Sequence, residues 1–166
     1  MHWKLILQLI LLLADPEMVR DQDLKGLAKE LSRYPVYWIL EVIPKIEIET
    51  GFRNNVVSSA GFCCYTQQSP GRKRPDDSPK PSCKRMVAFT RVCLEETAIE
   101  IRYWKKHCGK SWRDAYRSGW TDCCAGPYYK KRKGKQHFRC RTERTRQIFE
   151  LREQLTTYLK ENGHGK

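Results

Sequence analysis

The sequence predicts a mostly α-helical bundle stapled by disulfides, and the first observation behind this is its cysteine pattern. Eight cysteines occur in 166 residues, and no two are separated by two residues as in the CxxC motifs of zinc and redox sites. An even number of scattered cysteines with doublets indicates a disulfide framework, which persists in oxidising compartments. We therefore predict that all eight are paired, and that neighbours pair outward because a ring between adjacent cysteines is strained. The eight are Cys63, Cys64, Cys83, Cys93, Cys108, Cys123, Cys124 and Cys140.

The second observation is apolar spacing at a helical period. Leu24, Leu27, Ala28 and Leu31 recur at intervals of three and four, which predicts a helix that Pro35 ends. Similar stripes predict a long helix from Cys83 to Cys108, a second from Lys110 to about Trp120, and a last one from Thr142 to Lys160. Antiparallel packing of the first two would bring Cys83 near Cys123, so a disulfide between these segments is expected.

Residues 36–50 are the one region where a short strand pair is predicted. The stretch from Val36 to Ile43 is rich in β-branched and aromatic residues, which fits either a strand or a buried helical turn. Pro44 is expected to break it, and residues 45–49 then alternate polar and apolar as an edge strand does.

The N-terminus predicts a signal peptide over residues 1–14. One positive charge at Lys4 precedes an apolar stretch from Leu5 to Ala14 that only Gln8 interrupts. This length suits the apolar region of a secretory signal and is too short to span a bilayer. The alternative is an amphipathic or buried N-terminal helix. Residues 15–166 then form a single disulfide-rich domain, since a chain of this size is normally one domain.

Charge predicts a polyanionic partner. The formal net charge is +13, and cations concentrate in a basic segment over residues 128–146. Such a cluster binds polyanions by releasing their condensed counterions. Sulfated glycans such as heparan sulfate are the expected partner outside a cell, and nucleic acid inside one. The predicted polyanion-binding residues are Lys130, Lys131, Arg132, Lys133, Lys135, Arg139, Arg141, Arg144 and Arg146.

A zinc site competes for the same region. Cys123, Cys124, His137 and Cys140 have a zinc-finger-like separation, but adjacent cysteines rarely ligate one tetrahedral ion together. No metal or other cofactor is therefore assigned. No motif of a known catalytic site is present, and His107 beside Cys108 lacks an orienting carboxylate, so no catalytic residue is assigned and a non-enzymatic protein is expected.

Three partial resemblances concern the cysteines. Their order from Cys63 to Cys124 resembles that of some anaphylatoxins. The runs from Cys63 to Thr66 and from Val87 to Cys93 resemble a CC chemokine. The spacing of Cys83, Cys93, Cys108 and Cys123 is similar to that of helical hairpins of the mitochondrial intermembrane space, which implies pairs Cys83 with Cys123 and Cys93 with Cys108. Each match covers a third of the chain or less, so no family is assigned.

Together these features predict a secreted, cytokine-like ligand that binds a cell-surface receptor and a sulfated glycan, with no membrane span. Two alternatives remain open. One is a basic structural subunit of an intracellular assembly, such as a mitochondrial complex or a ribonucleoprotein. The other is a zinc-dependent nucleic-acid-binding protein.

Overall fold

Six helices make up the described part of the chain, which in the computed structural model comprises residues 1–68, 78–109, 112–113 and 143–164, without the side chains of residues 21 and 143–145. No strand occurs in these ranges, so the predicted mostly helical, disulfide-stapled fold is confirmed. None of these helices is long and apolar enough to cross a bilayer. The helices are α1 (Trp3–Leu11), α2 (Asp21–Leu31), α3 (Val36–Thr50), α4 (Cys83–Ala88), α5 (Thr90–Cys108) and α6 (Glu143–Glu161).

Helix α3 corrects the prediction of a strand pair at residues 36–50. Nine consecutive residues, from Trp38 to Ile46, are buried. A helix buried on every side has no polar face, so its sequence lacks the alternation that marks an amphipathic helix. Pro44 lies inside α3 without ending it, and the helix stops instead at Gly51, which adopts the left-handed conformation that glycine tolerates.

The other helices surround α3 or one another. Helix α6 packs on α3, α2 packs on both α1 and α5, and α4 packs on α5. The predicted stripe of α2 is confirmed, because Leu24, Leu27, Ala28 and Leu31 are all buried in the core. The last predicted helix is also confirmed, and each of its ends lies within one residue of the predicted position. Its Leu155 and Leu159 side chains are buried in the core.

The segment predicted as one helix from Cys83 to Cys108 is two helices. Phe89 is extended (φ −129°, ψ 98°) and separates α4 from α5. The break leaves backbone carbonyls of α4 without helical partners, and the side-chain amide of Asn54 donates to one of them, the Val87 oxygen, at 2.6 Å. A contact from a distant loop therefore stabilises an interruption that the local sequence does not signal. The predicted helix from Lys110 to about Trp120 lies mostly outside the described residues.

Helix α1 has the geometry of the buried N-terminal helix, the alternative to the signal peptide. Ile6, Leu9 and Ile10 are fully buried and face α2 at helical spacing. Its first turn is capped by the His2 ring, whose Nδ1 accepts from the Lys4 amide at 3.3 Å. Removal of residues 1–14 stays a prediction, and it would uncover the α2 face that α1 covers.

Two leucines of α1 test how much this packing stabilises the chain. We expect Leu9→Ala to lower the free energy of unfolding of the full-length chain by about 2–5 kcal/mol, because Leu9 is fully buried. Leu11→Ala is the matched control, since Leu11 lies in the same helix and is 48% exposed. It should cost less than about 0.5 kcal/mol. Urea denaturation measures both, and equal values would show that α1 is not packed as described.

Candidate polyanion-binding surface and its disulfide-stapled support

Two disulfides fasten one loop to two helices. Cys63 pairs with Cys83 at the start of α4, and Cys64 pairs with Cys93 in the first turn of α5, with Cα–Cα distances of 5.9 and 6.2 Å. The prediction that the Cys63 doublet pairs outward is confirmed. Cys108 is also disulfide-bonded, and no described cysteine is free. Cys123, Cys124 and Cys140 lie outside the described residues.

The expected pair of Cys83 with Cys123 is wrong, as is the pair of Cys93 with Cys108 that the mitochondrial resemblance implied. Cys83 and Cys93 both bond to the preceding loop. The reason lies in that loop. Backbone hydrogen bonds join the Cys63 amide to the Gln68 oxygen at 3.0 Å and the Gln68 amide to the Cys63 oxygen at 2.8 Å, which closes a tight turn. Cys64 has a positive φ of 64° within this turn, so the two neighbours face different helices.

A buried polar layer lies beside the second disulfide. The hydroxyls of Thr66 and Thr97 are 2.7 Å apart, and Thr97 donates to the Cys93 carbonyl at 2.9 Å. The Gln68 amide donates to Glu100 at 3.0 Å. Because the buried hydroxyls and the amide have partners, the layer is a satisfied structural network that holds the loop on α5.

Tyr65, next to the doublet, is buried in the core. Burial and the nearby charge of Asp23 raise the pKa of Tyr65 to about 12, and a hydrogen bond with Thr90 acts in the opposite direction. The backbone oxygen of Tyr65 accepts a hydrogen bond from the Thr50 hydroxyl at 3.2 Å, which ties the loop to the end of α3.

Glu41 of α3 is fully buried between two arginines from other parts of the chain. Arg113 Nε donates to Glu41 Oε1 at 2.8 Å. Arg152 Nε of α6 lies 2.7 Å from the same oxygen as an ion pair, although its N–H is not aligned for a hydrogen bond. The arginine side chains are 39% and 22% exposed. This triad links α3, α6 and the segment after α5 through one carboxylate.

The predicted polyanion-binding residues fall mostly outside the described part of the chain. Lys130, Lys131, Arg132, Lys133, Lys135, Arg139 and Arg141 are not described, nor is the side chain of Arg144. Arg146 is described: it is exposed in the first turn of α6, and its Nε lies 3.8 Å from Glu150. The structure thus anchors the C-terminal end of the basic segment to the bundle through α6. It leaves the ligand-binding role of these residues as a prediction.

Sequence reasoning missed a second group of cations and aromatic rings on the fold itself. Lys105 of α5 lies over the ring of Tyr37 of α3, with Nζ 4.1 Å from the centroid, and 5.6 Å from that of Trp112. Arg113 lies 4.8 Å from the Trp112 centroid. The signal for the cations was available in the sequence, since Lys105 and Lys106 follow Arg102 by three and four residues. The aromatic partner was not, since the pattern around Tyr37 fits either a strand or a buried helical turn and so does not place the ring.

The contacts of His107 in the described part of the chain are with Tyr103, one turn earlier in α5. His107 Nδ1 is 2.9 Å from the Tyr103 carbonyl, and the two rings lie 4.0 Å apart. The sulfur of neighbouring Cys108 is held in a disulfide. In the described ranges, no group of three His, Cys, Asp or Glu side chains is placed to hold a metal ion. The zinc hypothesis on Cys123, Cys124, His137 and Cys140 concerns residues outside these ranges.

No protein-family model matches the chain, and no curated protein or solved structure is significantly similar to it.

The disulfide connectivity is testable despite the adjacent cysteines, which proteases do not separate. Replacing one cysteine by serine leaves its partner as a free thiol. We expect Cys63→Ser to free Cys83 and Cys64→Ser to free Cys93, each identified by alkylation and mass spectrometry under denaturing, non-reducing conditions. Alkylation of Cys93 in the Cys63→Ser variant would contradict the assigned pairs. Each loss should lower the free energy of unfolding by about 2–4 kcal/mol.

The buried triad predicts a large effect for a small change at Glu41. Glu41→Gln keeps the shape of the side chain but removes the charge that both arginines neutralise. We expect a loss of about 2–3 kcal/mol in the free energy of unfolding, less than for a wholly buried pair because both arginines retain some contact with water. Glu150→Gln is the control, since its ion pair with Arg146 is exposed and should contribute less than about 0.5 kcal/mol. Equal losses, measured by chemical denaturation, would contradict the role of the triad.

Proposed function

We propose that the chain is a secreted, non-enzymatic ligand that binds a cell-surface receptor and is held near cells by sulfated glycans. The observation that carries the proposal is the concentration of charge on residues 128–146 of a disulfide-stapled domain. Nine cations against the single acid Glu143 give the segment a net charge of +8, out of +13 for the whole chain. If the positive charge served solubility alone, the cations would not have to be concentrated in one segment.

The disulfides support an extracellular site of action. Disulfide frameworks persist in oxidising compartments and are rare in the reducing cytosol. In this chain the two disulfides join cysteines that are 20 and 29 residues apart in sequence. They therefore constrain the fold and do not merely close short local loops. A rigid domain loses little conformational entropy on binding, which suits recognition of a receptor. Outside cells, the abundant polyanions on which a cationic segment would act are sulfated glycans.

The packing of α6 fixes the C-terminal end of the basic segment on the bundle. Helix α6 begins at the C-terminal end of the segment and packs on α3 through Leu155 and Leu159. Arg152 adds its ion pair with Glu41. Replacing cations within residues 130–135 removes none of these contacts, so binding and folding should be separable.

The basic segment is tested by Lys130→Gln, Lys131→Gln, Arg132→Gln, Lys133→Gln and Lys135→Gln in one variant. Removal of five charges should lower the slope of log affinity against log salt for heparin by roughly four. The elution salt from a heparin column should fall accordingly, while the circular dichroism spectrum stays unchanged. The charge-matched control replaces five exposed cations elsewhere with glutamine, namely Arg20, Lys29, Lys84, Arg85 and Lys160. If both variants elute at the same salt, the segment is no glycan site. Tighter binding of RNA than of heparin at equal salt would favour the intracellular alternative.

Secretion has a separate test, which is the intact mass of the protein from its native source. A mass that lacks residues 1–14 and eight cysteine hydrogens would support a cleaved signal peptide. A full-length mass with all eight hydrogens lost would mean that α1 stays in the fold of an extracellular protein. Several free thiols in either form would contradict the proposal, because the extracellular form is expected to be fully oxidised.

A further inference from the structure

The last two turns of α5 present three cations on one exposed face. Lys105 and Lys106 follow Arg102 by three and four residues, so the three side chains lie within about 6 Å along the helix axis. Like charges at this spacing repel one another and weaken a helix. An external anion that binds between them would remove this repulsion.

In the described part of the chain, none of Arg102, Lys105 and Lys106 forms an ion pair with a carboxylate. The two exposed or half-buried acids of α5 precede these cations along the helix, and both have other partners. Glu95 forms an ion pair with Arg91 at 2.8 Å, and Glu100 accepts a hydrogen bond from Gln68. Charge along α5 is therefore divided, with acids up to residue 100 and only cations after it.

An exposed aromatic ring lies beside these cations. Tyr37, in the first turn of α3, is 43% exposed, and Lys105 Nζ lies 4.1 Å from its ring centroid. Tyr34 is stacked on Trp38 at 4.1 Å just before it. Burial and the charges of Glu95 and Glu30 raise the pKa of Tyr34, whereas Arg91 and Arg102 act in the opposite direction, so the charge of Arg102 is felt at this ring. The cations of α5 and the rings near the start of α3 thus form one surface.

The support of this surface is rigid. Trp112 is buried beneath Lys105, and Arg113 runs past the Trp112 ring to the buried Glu41. Arg113 is thereby engaged in the core, while the charges of Arg102, Lys105 and Lys106 remain available to a ligand. The first turn of α5 is fixed by the disulfide from Cys93 to Cys64.

We propose that Tyr37, Arg102, Lys105 and Lys106 form a binding surface for a sulfated glycan. The three cations contact sulfate groups, and a sugar packs against the part of the Tyr37 ring that Lys105 leaves exposed, as aromatic side chains with one wet face can do. The proposal rests on the proposed glycan binding and adds a second contact, made by the folded domain and not by the segment at residues 128–146. The disulfides favour a glycan over nucleic acid as the polyanion, because they place the chain in an oxidising compartment.

The cations are tested with Arg102→Gln, Lys105→Gln and Lys106→Gln in one variant, since glutamine keeps helix propensity. The control variant replaces three scattered exposed cations, Arg20, Lys84 and Lys160, with glutamine. Titration of heparin between low and high salt should show a slope of log affinity against log salt reduced by about two to three in the first variant and changed much less in the second. Lys106→Glu serves as a single-residue check, because it adds repulsion at one exposed site and should also weaken heparin binding.

The ring is tested by two substitutions at one position. Tyr37→Phe keeps an aromatic face and should retain heparin binding, whereas Tyr37→Leu should weaken it several-fold at unchanged salt slope. Phe89→Leu is the control, because Phe89 is 60% exposed at the break between α4 and α5, away from the cations of this face. Equal binding by Tyr37→Leu and Phe89→Leu would overturn the role of the ring.

The outcomes separate this inference from the proposed function. If the α5 variant behaves as its control while the five-site variant at residues 130–135 loses heparin binding, the inference is overturned and the proposed function stands. If only the α5 variant loses binding, the glycan surface is the one on the folded domain. If neither loses binding, both proposals fail. A loss confined to single-stranded RNA, with heparin binding unchanged, would overturn the assignment to a sulfated glycan.

Discussion

Burial of α3 on all its faces is the constraint on which the rest of the structure depends. Nine consecutive residues from Trp38 to Ile46 are removed from water, so neighbours must cover every side of this helix. Helix α6 covers one side by direct packing. Burial of a carboxylate is costly without partners, and the arginines at residues 113 and 152 lie against Glu41 there. A single buried carboxylate thus specifies which parts of the chain surround α3.

The disulfides act on a different part of the molecule. They hold the loop after α3 against α4 and α5, the two helices separated at Phe89. Helix α4 has only six residues, so it buries little surface of its own, and the disulfide from Cys63 to Cys83 compensates for this. Cys63, Cys64 and Cys93 are themselves buried in the same core as α3, so the disulfides add to hydrophobic burial there.

The extent to which the sequence predicts this fold follows from the same physics. Helices α2 and α6 are predicted well, because each has a polar face and the stripe of Leu24, Leu27 and Leu31 or of Leu155 and Leu159 stands out against it. Helix α3 is missed because complete burial erases that contrast, and its β-branched residues then favour a strand locally. The break at Phe89 is missed since the contact that stabilises it comes from Asn54, 33 residues away from Val87. Local patterns cannot report such distant partners.

The candidate sites likewise differ in how far the sequence alone predicts them. The basic segment is evident from composition alone, and the face of Arg102, Lys105 and Lys106 can be found by its spacing once the helix is known. Tyr37 joins that face only because α3 is a helix. Disulfide partners are not encoded in spacing, since eight cysteines allow 105 pairings and the turn at Cys64 selects among them.

The proposal of two cationic regions on one chain has a consequence for affinity. Helix α6, which begins within the basic segment, and Arg113, which follows the α5 face, are both tied to Glu41. A long polyanion bound at one region would meet the other at a raised effective concentration, because both regions belong to the same chain. The two contributions then multiply in affinity and add in salt dependence. A short glycan that reaches only one region would lack this gain. Chain length of the polyanion, and not only its charge density, would then determine how tightly this domain is held.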